Sequence, residues 1–196
     1  MPVSASSAKK TKKKKNKKEN KILKKLILPL SIIFSSVLVD QLTKIWAENN
    51  LIYNQPKEIL GNFFRFTLVY NDGGAMGTNF GSPTYYLISA IIILVLVLVY
   101  IYLNRQVTVL VVPLAFIAGG AIGNIIDRFR VGKVVDFIDV DFFNINLFGY
   151  QLDRWWTFNI ADSVISCSLV FLLIYIFISH RKKETPNKVE SPSEIS

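Results

Sequence analysis

Asp162 stands near the start of "FNIADSVISCSLVFLLIYIF", a run apolar enough to lie in lipid. A carboxylate there is costly unless it faces protein or water, and such groups tend to be functional. Asn159, Asp162, Ser163 and Ser166 recur at helical spacing, so a polar stripe runs along one face of this segment. No arginine or lysine close in sequence balances the charge. A second carboxylate brought against Asp162 would share one proton with it. Such a pair supplies a base that deprotonates water and an acid that protonates a carbonyl oxygen, which is the chemistry of amide hydrolysis. Asp40, Asp127, Asp136, Asp139 and Asp141 are the candidates for the partner. Asp127 has Arg128 beside it, and Asp139 and Asp141 read as solvated residues of a strand-like loop. Asp136, set between "VV" and "F", has the most apolar flanks. Spacing favours it without excluding the others.

These groups need elements to position them. Four segments qualify as spanning helices: about Leu26–Ala47, Tyr85–Leu103, Val107–Ile126 and about Trp156–Ser179. The first has a basic leader, but only "DQLTKIWAENN" follows it, so it reads as an uncleaved helix rather than a signal peptide. Basic residues precede helix 1, sit at Arg105 between helices 2 and 3, and follow helix 4 as "HRKK". One side satisfies the positive-inside rule for all three, so both termini are expected in the cytoplasm. The longer connections, 48–84 and 129–155, then face outward. "ILGNFFRFTLVYN" and "VVDFIDVDFFNINLF" carry strand-like content and are expected to form a small sheet on the outer membrane surface, with Trp155 and Trp156 at the interface. The expected fold class is an α-helical integral membrane protein with four transmembrane helices and a small extracytoplasmic β-element.

Charge and composition narrow the function. Residues 1–25 hold eleven lysines and one glutamate, a balance of +10 against +9 for the whole chain, so the remaining residues sum to −1 and the body is close to neutral. The leader reads as a disordered cytoplasmic tail near anionic lipid headgroups, residues 26–180 as the membrane domain, and 181–196 as a cytoplasmic tail. Nucleic acid is not an expected partner. One cysteine, Cys167, and one histidine, His180, leave no disulfide, no thiolate-rich metal site and no histidine-based triad. No metal or organic cofactor is called for.

With that topology every intramembrane polar group falls toward the outer leaflet. Asp40 and Lys44, four apart, can form an ion pair on one helix face. "YNDGGAMG" offers Asn71 for exposed backbone, with Gly73 and Gly74 permitting a tight turn. Gly119 and Gly123 fit small-xxx-small packing. Asn124 lies three and four residues before Asp127 and Arg128, hence on their face, where an Asp127–Arg128 pair is the bland expectation.

The segments "DQLTK", "NDGGAMG", "GGAIGNIIDRFRVGKVVDF" and "FNIADS", in this order, closely resemble the bacterial lipoprotein signal peptidases, the type II signal peptidases, over roughly residues 30–178. The resemblance implies an intramembrane aspartic endopeptidase of the cytoplasmic (inner) membrane. It would cleave signal peptides from lipid-modified prolipoproteins on the N-terminal side of the diacylglyceryl-cysteine and be blocked by globomycin. It implies Asp136 and Asp162 as the catalytic dyad. Asp40, Lys44, Asn71, Gly74, Asn124, Asp127, Arg128, Asn159 and Ala161 would support the dyad or bind substrate. The enzyme would act as a monomer among membrane lipids. A small proton- or ion-coupled transporter using the same carboxylates is the alternative, although such proteins place their sites near the midplane and often show repeated halves.

Overall fold

The computed structural model describes residues 5–74, 81–141, 145–147, 150–152 and 154–184. Residues 1–4, the stretch 75–80 and the tail 185–196 lie outside them, as do parts of the 142–153 connection. The order of elements is α1 (Ala5–Asn50), β1 (Lys57–Leu60), β2 (Phe64–Asn71), α2 (Pro83–Leu103), α3 (Thr108–Val131), β3 (Val134–Val140), β4 (Ile145–Leu147), β5 (Tyr150–Leu152) and α4 (Ile160–Glu184).

All four helices contain stretches long and apolar enough to cross a membrane: Ile22–Asn50, Pro83–Leu103, Thr108–Val131 and Ile160–Arg181. Half of the spanning window of α3 is buried, against 11% or less in the others, so α3 is the central helix. It packs on α1, α2 and α4. Its burial follows from its small residues. A Cβ added at Gly119 would strike the Ser36 side chain of α1, and one added at Gly120 would strike the carbonyl of Ala161. The glycines let three backbones approach closely.

Two boundaries differ from the sequence reading. Helix α1 starts at Ala5, through the lysine run expected to be disordered. Lysine and alanine are good helix formers, and a helix already nucleated in the span propagates more readily than a new one starts. Helix α3 runs past Ile126 to Val131 and stops at Gly132, whose φ of 76° and N–H bond to the Arg128 carbonyl close the helix in a left-handed cap. That turn sends the chain straight into β3.

The β-element comprises two small sheets. β1, β2 and β3 form an antiparallel sheet in that order, and β4–β5 is a separate hairpin. "ILGNFFRFTLVYN", expected as one strand, is itself a hairpin that turns at Gly61. Between Phe66 and Val69 the β2–β3 register shifts by a bulge, after which Val69 faces Asp136 and Asn71 faces Val134. Val135 and Phe137 pack with Ala47, Leu51 and Leu68, tying the sheet to the end of α1. Strand alternation turns Asp136 to the opposite face.

Candidate active site

Three elements converge beneath the sheet: the N-terminus of α4, the C-terminal third of α3 and strand β3. Phe158, just before α4, pairs with Ile138 of β3, its N–H donating to the Ile138 carbonyl at 3.0 Å. This antiparallel pairing lays the residues after Phe158 beside Asp136. Asn159 then caps α4. Its Oδ1 accepts the Asp162 N–H at 2.9 Å, while Asp162 Oδ2 accepts the Asn159 N–H at 3.3 Å. The exchange is a reciprocal capping box with Asn and Asp in the two roles. Asp162 is therefore held by the helix that carries it.

Asn159 also spans the gap to β3. Its Nδ2 donates to Asp136 Oδ1 at 2.7 Å, with Asn124 Oδ1 at 3.1 Å as a further acceptor. Asn71 Nδ2 donates to the other Asp136 oxygen at 3.1 Å, and Asn124 Nδ2 donates to Asp162 Oδ1 at 2.8 Å. Three asparagines thus hold two carboxylates, and Asn159 contacts both. Asp136 is 2% exposed. Burial first, and then the charge of Asp162, push its carboxyl up to about 7.

Behind this layer lies a fully buried ionic knot. Lys44 Nζ meets Asp127 Oδ2 at 2.7 Å, Asp40 Oδ2 at 2.8 Å and Asn124 Oδ1 at 2.9 Å. An ammonium has three N–H groups, so all are satisfied. Asp40 Oδ1 accepts the Ala161 N–H at 2.9 Å, and Asp127 Oδ2 also accepts the Val135 N–H at 3.1 Å. Lys44 therefore orients Asn124 directly and anchors the start of α4 and of β3 through the two aspartates. The expected Asp40–Lys44 pair forms, whereas the Asp127–Arg128 pair does not. Consecutive helical residues point apart, so Asp127 turns to Lys44 and, at 3.8 Å, to Arg130. Arg128 instead donates to the carbonyls of Gly73 at 3.1 Å and Asn124 at 3.4 Å, holding the loop that carries Asn71 and Gly74. The Asn71 side chain folds that loop by accepting the Gly73 N–H at 2.9 Å.

Several expectations need correction. Asp139 is buried, not solvated: it is 5% exposed and accepts from Thr67, Arg65 and Arg154 at 2.7–3.2 Å. Burial pushes the Asp139 carboxyl up, but the bonds from Thr67, Arg154 and Arg65 outweigh it and hold the group below the usual carboxylate range. Ser166 is exposed on α4, outside the inward stripe that Asn159 and Ser163 share. Gln41 was not singled out, yet its Nε2 lies 3.1–3.2 Å from Asp40, Asp127 and the Gly123 carbonyl. Its position beside Asp40 in "DQLTK" was the available signal.

This arrangement can be set beside known proteins. A family model described as Signal peptidase (SPase) II matches residues 32–178. The lipoprotein signal peptidase of Pelodictyon phaeoclathratiforme is 39% identical over 147 residues, covering 74% of this chain and 87% of that protein. Those of Pseudomonas putida and Staphylococcus aureus are 37% and 33% identical, covering 76% and 79% of this chain and 86% and 87% of theirs. A solved structure described as a bacterial membrane enzyme at 2.3 Å aligns with a TM-score of 0.65 and 31% identity, over 86% of this chain and 94% of that one. Another, at 1.9 Å, gives 0.62 and 32%, over 76% and 92%. The chain belongs to the type II signal peptidase family: it is a multi-pass bacterial membrane protease of the kind that cleaves signal peptides from lipoproteins.

Proposed function

We propose that Asp136 and Asp162 form the catalytic dyad, cutting a lipid-modified prolipoprotein on the N-terminal side of its diacylglyceryl-cysteine. The observation that carries this reading is the Asn159 bridge: this fully buried residue bonds the Asp136 carboxylate through its side-chain Nδ2 and the Asp162 carboxylate through its backbone N–H. Asp136, pushed up to about 7, is the group that holds the shared proton near neutrality. Asp162 takes a proton from water as the oxygen attacks the scissile carbonyl, and Asp136 gives its proton to the carbonyl oxygen. The resulting diol collapses as Asp136 recovers a proton from one hydroxyl and Asp162 delivers the other proton to the departing cysteine nitrogen. Atoms balance, and the dyad returns to its starting charge. Asn71, Asn124, Asn159 and the Lys44 knot hold the carboxylates, while Arg128 and Gly74 shape the loop over them.

The basic flanks support an orientation with both termini in the cytoplasm and the dyad toward the outer face. On that reading residues 26–180 are the protease domain, a monomer among membrane lipids, and the lysine leader lies near anionic headgroups. The transporter alternative is not favoured by membership of a protease family. The test supplies purified protein in detergent with lipidated and unlipidated precursor and follows cleavage by gel shift. Asp136→Asn and Asp162→Asn should each lower the rate by about a thousandfold or more while leaving insertion intact, and globomycin should block the wild type. Full activity in both variants would remove the dyad.

A further inference from the structure

Half-buried on α1, Gln41 points its amide into the ionic knot behind the proposed dyad. Its Nε2 lies 3.1 Å from Asp127 Oδ1, 3.1 Å from the Gly123 carbonyl and 3.2 Å from Asp40 Oδ2. An amide nitrogen carries two hydrogens, so the three acceptors compete. The Gly123 carbonyl already serves the helical ladder of α3, and Asp40 Oδ2 already has Lys44 at 2.8 Å. Asp127 Oδ1 has no such second donor. Among the described residues the next is Arg130 Nη2 at 3.8 Å, and Arg130 is held by Glu48 at 2.8 Å. An oxygen of a fully buried carboxylate thus depends on Gln41 for its hydrogen bond. Resting on the protease reading above, we infer that Gln41 is a positioning residue for cleavage, setting the placement of Asp136 and Asp162 through the two aspartates of the knot.

Each knot aspartate grips the backbone one residue before a dyad member. Asp127 Oδ2 accepts the Val135 N–H at 3.1 Å, next to Asp136, and Asp40 Oδ1 accepts the Ala161 N–H at 2.9 Å, next to Asp162. The two carboxylates repel, and the single Lys44 ammonium between them leaves the three groups with one uncompensated negative charge. Lys44 gives its third N–H to Asn124 and has none to spare. Gln41 closes the opposite side of the pair with N–H groups that add no charge. Without that amide, Asp127 Oδ1 finds a donor only by turning toward Arg130, and the turn draws Oδ2 off the Val135 N–H. Strand β3 then shifts away from the start of α4, and Asp136 from Asp162. Reach matters as well as chemistry. Neighbours on a helix point apart, so only a side chain as long as glutamine's returns from position 41 to the Asp40 carboxylate while meeting Asp127.

Gln41→Met keeps the length of the side chain and removes the donor. The full chain, purified in detergent and given lipidated precursor, should lose about ten- to hundredfold in kcat with KM within about twofold. The second readout is the alkaline limb of the pH–rate profile. Asp136 faces Lys44 from α1, Arg128 from α3, Asp162 from α4 and the neutral Asn71 from β2. Moving the strand off the helix weakens the repulsion from Asp162 and admits water, so the limb should fall at lower pH than in wild type. Val111→Ala is the control: it lies in the core between α2 and α3, thirteen residues before Asn124 and about 20 Å along the helix. It should lower the melting temperature and leave kcat and the limb unchanged. If the Met variant fails to fold, Gln41→Asn, with its amide one methylene short, should give the same two changes. A folded Gln41 variant with the kcat and limb of wild type overturns the positioning role, whether or not its melting temperature falls. Absence of cleavage by wild type sinks the protease reading instead.

Discussion

The two carboxylates of the proposed dyad stand in unequal surroundings, and this sets how the protein responds to pH. Asp136 has an ordinary value of 3.8 and a folded value of about 7. The folded state therefore holds the extra proton between those values, and the stability linked to this group is full below 3.8 and lost as pH rises through about 7. On the proposed mechanism cleavage needs that proton and should fall on the alkaline side of about 7 in a pH–rate profile. Asp136→Asn should abolish cleavage yet flatten the pH dependence of thermal unfolding and raise the midpoint at pH 8, as measured by scanning fluorimetry in detergent. Lys44 gives a complementary prediction. Lys44→Met leaves Asp40 and Asp127 buried without their cation, and breaking such an arrangement costs about 3–5 kcal/mol. A melting temperature unchanged by that substitution would show that the knot is not structural. Sequence adjacency misassigned the partner of Asp127, because neighbours on a helix diverge while Lys44 reaches it from another helix.

At the scale of elements, Asp136 and Asp162 come to one site because a strand, a helix start and a central helix meet without intervening bulk. Gly123 on α3 leaves room for the Asp40 carboxylate, and an added Cβ would collide with it. Gly123→Ala should cost about 1–3 kcal/mol by overpacking and lower cleavage by pulling Asp40 off the Ala161 N–H. Gly81→Ala, whose added Cβ meets only the Tyr85 side chain at 3.4 Å, is the matched control. The segment leading into α4 is clasped in the same spirit. Arg154 bonds Asp139 on β3 and the Asn62 carbonyl at the β1–β2 turn. Asp139→Ala should therefore lower stability by about 1.5–3 kcal/mol with a smaller effect on kcat, separable by comparing unfolding with turnover. The Asn159-x-x-Asp162 spacing was readable as a capping box, whereas the Asp139 clasp was not, because its arginines come from two distant segments.

For the whole molecule, the basic flanks predict where each connection lies. In a Cys167→Ser background, Glu58→Cys in β1 should react with an impermeant maleimide in intact cells, and Asn104→Cys at the α2–α3 turn should react only after lysis. The reverse pattern would invert the proposed orientation. The central placement of α3 also puts Asn124, Asp127 and Arg128 on a helix that packs against the other three. The other three helices expose most of their surface and are free to meet lipid or substrate.

The sequence alone determined the four spans, the clustering of polar groups toward one end, and the motifs that carry the family resemblance. These are local properties: an apolar run of sufficient length, or residues a few positions apart, needs no distant partner to be recognised. Tertiary structure decided which carboxylates share an asparagine, that Lys44 binds two aspartates and Asn124 at once, and that Asp139 is buried. Hydrogen bonds across 74 or 121 residues of chain, such as Arg65 to Asp139 or Ala161 to Asp40, depend on how glycine-lined helices and a bulged sheet pack together. No spacing along the chain encodes such a meeting by itself.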